Sequence, residues 1–243
     1  MAIKVSPVAG CRFYIGSAAV TPPDVAVVAA DFASATWVEV GQYETMGNAG
    51  DASSNIATDL INRRRTFNIK GTRQAPQRTD NFALNLTDAG QLAMLAAEQT
   101  DYNYPFRIEL NDAPIARSSV VTMTIAAPGV VTWAAHGLPE GVTIAFTSTG
   151  ALPTGLVAST VYYVKYIDAN TFQLAATAGG AAITTSGTQS GVHTATSIPI
   201  SSRRYFMGMV VSAEEGNGGA NSAQMLNCTI MANTNYVRVA ALG

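Results

Sequence analysis

The chain has 243 residues, with 14 basic and 16 acidic side chains for a formal net charge of −2. That length holds one or two domains with self-sufficient cores, and the near-balance of charge excludes a surface that grips polyanions through counterion release. Charged residues make up only 12% of the chain, about half the usual globular share, a composition that favours β structure and packed surfaces.

The opening Met-Ala-Ile-Lys-Val-Ser-Pro has no basic segment followed by an apolar core, so no secretion signal is expected. No apolar run reaches the roughly 18 residues of a membrane helix, and no membrane insertion is expected. Period-two alternation then predicts strands at Cys11–Gly16 and Thr36–Tyr43. Glu44–Asn62 is rich in small polar residues and reads as a long mobile loop, either functional or merely tolerated. Arg63, Arg64 and Arg65 form the one basic run at its exit. They suit ion pairing with a neighbouring subunit or a solvated strand end better than nucleic acid, because no aromatic residues interleave. Strands follow at Arg65–Gly71 and Asp80–Leu86, with Phe67, Ile69, Phe82, Leu84 and Leu86 pointing inward. A helix is predicted over Asp88–Gln99, capped by Asp88 with Gln91 three residues on, its apolar face being Leu92, Leu95 and Ala96. Tyr104–Asn111 is again a strand, with Phe106, Ile108 and Leu110 inward.

Between Arg117 and Ile198 the composition changes: about eighty residues contain only three charged side chains, Glu140, Lys165 and Asp168. The flanks, Tyr104–Leu110 and Arg203–Val211, read as two halves of one hairpin, so this stretch is an inserted domain. Its strand candidates are Ser119–Ile125, Gly129–Trp133, Thr143–Phe146, Val161–Ile167 and Thr171–Ala175, with a tight turn at Asp168-Ala-Asn170. After it come strands at Arg203–Ser212, Ala223–Ala232 and Asn235–Val239, the first two joined by a turn at Gly216-Asn-Gly-Gly219.

Candidate chemistry is sparse. His136 and His193 have no acidic residue or cysteine at a ligand spacing, so they suit packing or turn hydrogen bonds rather than zinc. Gly216–Gly219 lacks the Lys-Ser/Thr of a phosphate loop. Cys11 and Cys228 lie in apolar strand-like runs and read as a buried pair of free thiols. No nucleophile elbow or metalloprotease motif is present, and neither a cofactor nor an enzymatic role is expected.

The ordered pattern of the first domain resembles the major tail tube proteins of tailed bacteriophages. Thr36-Trp-Val-Glu-Val-Gly41, Phe67-Asn-Ile-Lys-Gly71, the Asp88–Ala97 helix, Tyr104–Leu110 and the closing strands from Tyr205 and Ala223 carry it, over about two-thirds of the chain. The insert is similar to a small β module recurring in phage structural proteins. Its residues are His136-Gly-Leu138, Thr147–Leu156, Val161-Tyr-Tyr-Val164, Asn170–Leu174 and Gly187–Gly191.

The resemblance implies a mainly β (α+β) fold: two packed antiparallel sheets with one flanking helix, over 1–117 and 198–243, and an inserted all-β decoration domain over 118–197. It implies hexameric rings stacked into a tail tube, with the tape measure protein and DNA passing without tight binding and with tail terminator and tail tip proteins as further partners. The protein would occupy the virion tail, and the host cytoplasm before assembly. Glu44, Asp51, Asp59, Arg63, Arg64 and Arg65 become candidate inter-subunit residues. The insert would face outward through His136, Tyr162, Lys165 and Asp168, as decoration or as a weak binder of surface glycans. The alternative is a virion adhesin or other tail component in which the insert does the main work.

Overall fold

A computed structural model of the chain describes residues 7–216 and 219–243. The first six residues, and Asn217 and Gly218 of the expected turn, lie outside the described residues. In chain order the elements are β1 (Arg12–Gly16), β2 (Trp37–Val40), β3 (Tyr43–Thr45), β4 (Ala52–Leu60), β5 (Arg65–Gln74), β6 (Arg78–Ala83), α1 (Ala89–Glu98) and β7 (Tyr104–Glu109). Then follow β8 (Ser118–Met123), β9 (Val131–Thr132), β10 (Thr143–Ser148), β11 (Tyr162–Tyr166), β12 (Thr171–Ala175), β13 (His193–Ile198), β14 (Arg203–Gly216), β15 (Met225–Ala232) and β16 (Val237–Val239). The fold is mainly β, with antiparallel sheets and one α-helix among the described residues. No helix among the described residues is long and apolar enough to cross a membrane.

Contacts divide the chain into two units: one contains the chain up to Asn111 with Arg203–Val239, the other Asp112–Ser202 with Ala240–Gly243. In the first, an eight-stranded sheet runs β2-β1-β7-β14-β15-β6-β3, and β16 pairs with β14. Alternation sends Phe13, Ile15, Phe106, Ile108, Phe206, Leu226, Cys228, Ile230 and Phe82 into one core. Phe13 on β1 and Phe82 on β6 touch at 5.8 Å between ring centroids, although three strands separate β1 from β6 in the sheet. The sheet therefore curls over its own core. Two separate sheets were expected from the resemblance; here the two halves are hydrogen-bonded into one through β14. This 14-residue strand pairs with β7 over Arg203–Gly208 and with β15 over Gly208–Gly216, with a register shift between Val210 and Ser212. Such a shift bends a strand and sharpens its twist.

Asp88 caps α1 by accepting a hydrogen bond from the Gln91 backbone N–H at 2.8 Å. The reciprocal half of the expected capping box is absent. The Gln91 side chain instead accepts from Asn85 N at 2.9 Å and donates to Ala83 O at 2.9 Å and Gly41 O at 3.2 Å. This fully buried amide ties the helix start to the strands beneath it. The helix presents Gly90, Gln91, Met94 and Ala97 to the core, whereas Leu92 and Ala96 are exposed and Leu95 is half-buried. The expected face is thus rotated. A Cβ at Gly90 would run into the Glu39 carbonyl, so the glycine must face β2 and fixes the helix's rotation.

The second unit is a closed six-stranded barrel, β10-β11-β12-β9-β8-β13, which leaves no free sheet edge. Val121, Ile144, Phe146, Val164, Phe172 and Leu174 fill it. β13 had no counterpart in the sequence reading, because His193-Thr-Ala-Thr-Ser-Ile carries few apolar residues; it buries His193, Ala195 and Ser197 on alternate positions. Ile200 bridges to Leu242, so the last four residues belong with this unit rather than with the first.

Candidate assembly hairpin

The segment expected as an unstructured loop is largely a hairpin. β4 and β5 form a two-stranded sheet of their own, and only residues 46–51 separate β3 from it. The pattern is legible in retrospect: Ser54, Ile56, Thr58 and Leu60 alternate with Asn55, Ala57 and Asp59, and small polar residues masked the period of two. Register pairs Ile56 with Ile69, Thr58 with Phe67 and Leu60 with Arg65 on one face. The opposite face pairs Asn55 with Lys70, Ala57 with Asn68 and Asp59 with Thr66. Asn55 Nδ2 donates to Asn68 Oδ1 at 2.9 Å, and Thr66 Oγ1 donates to Asp59 Oδ1 at 2.7 Å.

One face is therefore polar and internally hydrogen-bonded, and the other is apolar and uncovered. Ile56, Phe67 and Ile69 are 48%, 54% and 49% exposed. This corrects the inward placement of Phe67 and Ile69: the strand alternates as expected, but no core lies behind it. A lone two-stranded hairpin is marginally stable in water. Completing the burial of these three side chains would contribute about 1 kcal/mol each.

The candidate inter-subunit residues are spread along the hairpin. Arg63 and Arg64 occupy the tip, where Arg63 N donates to Leu60 O at 3.1 Å and Arg64 has φ 46°. Arg65 starts β5 opposite Leu60 on β4, on the other face from Asp59. Asp51 lies at the root, roughly 30 Å away at 3.3 Å per strand residue, in a groove of about 380 Å³ with Lys70 and Arg73. Glu44 sits on β3 and accepts a hydrogen bond from Thr45 Oγ1. None of the three arginines has an ion-pair partner among the described residues.

The hairpin's root is held by a buried polar cluster absent from the sequence reading. Arg78 and Asp80 alternate with Phe82 on the inward face of β6, and both charged side chains are fully buried. Arg78 Nε and Nη2 donate to the two Asp80 oxygens at 2.6 Å each, a bidentate pair. Its guanidinium lies 5.5 Å and 5.6 Å from the centroids of the Phe13 and Phe206 rings. Asp80 Oδ1 also accepts from Tyr43 OH at 2.5 Å and Gly47 N at 2.9 Å. The cluster thus fixes both β3 and the chain leading into β4. Burial and the Asp80 charge push the Tyr43 hydroxyl far above its ordinary range. Burial lowers the Arg78 pKa, but hydrogen bonds and charge from Asp80 more than offset it, so the guanidinium stays ionised. The signal was available: once Phe82 is placed inward, Asp80 and Arg78 must follow.

In the barrel, two of the four surface candidates are interior. His136 is 0% exposed: Nδ1 accepts from Leu138 N at 2.9 Å and Nε2 donates to Asp168 O at 2.8 Å, the tautomer these partners require. Tyr162 is buried, and its hydroxyl accepts from Val157 N at 2.7 Å. Both were placed outside because polar atoms suggested solvent; each instead satisfies a backbone group. Lys165 is half-buried and donates to Gly180 O at 3.1 Å. Asp168 is exposed and organises the β11–β12 turn, accepting from Asn170 N, Thr171 N and Thr171 Oγ1 at 2.7–2.8 Å. The Asn170 backbone bond, then the Thr171 hydroxyl, lower its pKa. His193 Nδ1 meets Ser148 Oγ at 2.8 Å.

Cys228 is buried and Cys11 only half-buried, and both are free thiols. Among the described residues no three His, Cys, Asp or Glu side chains gather as a metal site. No protein-family model matches the chain, and no curated protein matches it.

Proposed function

We propose that the chain is a structural virion protein that self-assembles into stacked, six-membered rings forming the tube of a phage tail, with the barrel as outward decoration. The observation that carries this reading is the β4–β5 hairpin, whose apolar face of Ile56, Phe67 and Ile69 is left about half exposed by the described residues. A second copy supplies the missing cover, and the hydrogen bonds of Tyr43 and Gly47 to Asp80 at the hairpin's root orient it for repeated, identical contacts. The open sheet supports the same reading, because rings joined edge to edge remove free edges. In such a tube a neutral or acidic lumen would let DNA and the tape measure protein slide without adhering, which the small negative net charge of the chain permits.

Concentration-dependent light scattering with negative-stain microscopy of the purified protein tests the proposal. Hollow tubes with a regular ring repeat are expected; discrete monomers at every concentration would refute it.

A further inference from the structure

The hairpin also concentrates positive charge. Asp51–Gln74 carries Arg63, Arg64, Arg65, Lys70 and Arg73 against Asp51 and Asp59, a net of +3 in a chain of net −2, so the remaining residues carry −5. These exposed cations make no ion pair among the described residues.

A complementary seat lies on β14. Its first half is flanked by β7, but that pairing ends at Gly208 with Tyr104. From Met209 to Gly216 the strand bonds only to β15, and its other edge offers backbone N–H and C=O groups with no partner among the described residues. Val211 on this stretch is 46% exposed, and the neighbouring Glu214 and Glu215 are exposed with no ion pair among the described residues. A free edge, an exposed valine and two unpaired carboxylates therefore coincide within five residues.

We infer that β5 of one copy adds to the free edge of β14 in a second copy, which brings its cations Lys70 and Arg73 beside the acidic end of that strand, where Glu214 lies on one face and Glu215 on the other. The inference rests on the proposed self-assembly and names the seat for the hairpin. Strand addition satisfies the open backbone edge, while charge pairing sets orientation. The contact is heterologous, since each copy gives a hairpin and receives one, so it closes into a ring or propagates. Duplex DNA is the other polyanion such a hairpin attracts. It is disfavoured because Ile56, Phe67 and Ile69 share the hairpin and find no apolar partner along a phosphate backbone.

A charge swap tests the seat. Lys70→Glu with Arg73→Glu, and separately Glu214→Lys with Glu215→Lys, are compared with the fourfold variant, reading the critical concentration for assembly by light scattering. Circular dichroism and thermal melting confirm that each variant, altered only at exposed positions, remains folded. Each pair is expected to raise the critical concentration at least about tenfold, since like charges meet across the contact, and the fourfold variant to recover most of the loss. If wild-type tubes form and either pair is without effect, or the fourfold variant recovers nothing, the seat is wrong while the tube reading stands. If the wild type stays monomeric throughout, both fall. Binding of a fluorescein-labelled duplex that is lost in Lys70→Glu/Arg73→Glu, with assembly unchanged, would assign the hairpin to nucleic acid and overturn the inference.

Discussion

Asp80→Ala is the sharpest perturbation of the first unit. It leaves the Arg78 guanidinium fully buried without its bidentate carboxylate and removes the acceptor of Tyr43 OH and Gly47 N. Breaking a buried pair by removing one partner costs about 3–5 kcal/mol, because an uncompensated charge remains. With a urea m-value of about 2 kcal/mol per M, the unfolding midpoint falls by roughly 2 M. The two tryptophans make this measurable, since Trp37 lies in the first unit and Trp133 in the second. In a Trp133→Phe background, tryptophan fluorescence reports the first unit alone, and two-state analysis applies to that transition. The double change Arg78→Met/Asp80→Leu removes both charges at similar volume but still leaves Tyr43 OH and Gly47 N without their acceptor, so it is expected to recover the part of the loss due to the unpaired charge. A cost below about 1 kcal/mol for Asp80→Ala, or a double variant no better than the single, would refute the claim that this cluster is a desolvated ion pair.

Three further outcomes follow from the geometry. Gln91→Ala strands the Ala83 and Gly41 carbonyls and the Asn85 N–H, and denaturation in the same background should show a loss of about 1–3 kcal/mol. Asp168 has a lowered folded pKa, so its contribution is fully present above the ordinary carboxyl value and is lost as pH falls through the folded one. Acid unfolding followed by Trp133 in a Trp37→Phe background should therefore lose part of its pH dependence in Asp168→Asn. Burial, with the Asp80 charge second, pushes the Cys228 thiol up to about 12. At pH 8 native protein should then react with a thiol reagent only at the half-buried Cys11, Cys228 following on unfolding.

Much of the fold was legible because alternation is a local signal. Phe106 and Ile108 on β7, and Phe82 on β6, face the core as their period of two requires. Alternation does not reveal what lies behind a face. Phe67 and Ile69 alternate as well as Phe106 and Ile108, yet one pair faces solvent and the other a core, because only tertiary placement decides which face is covered. The helix failed similarly: Leu92 is more apolar than Gly90, but close approach to β2 selects the residue without a side chain. His136 and Tyr162 failed in the opposite direction, since a polar atom can be buried when it meets a backbone partner.

The same argument gives the hairpin its meaning. A face that alternates with apolar residues and remains uncovered is either destabilising or reserved for another chain. Here it is joined to a fully buried ion pair at its root, whose assembly requires desolvating two charges. An ion pair in such a place is a weak source of stability, and Asp80 holds Tyr43 and Gly47 as well as Arg78, so its consequence is geometric: it fixes where the hairpin leaves the sheet. A merely tolerated loop would need no such fixture. Asp80→Asn, which retains an acceptor oxygen but lacks the charge, separates the two roles. If orientation is the function, this variant should lose assembly by more than its loss of stability at the same temperature, measured as critical concentration against urea midpoint. Equal losses would mean that Asp80 acts through stability alone.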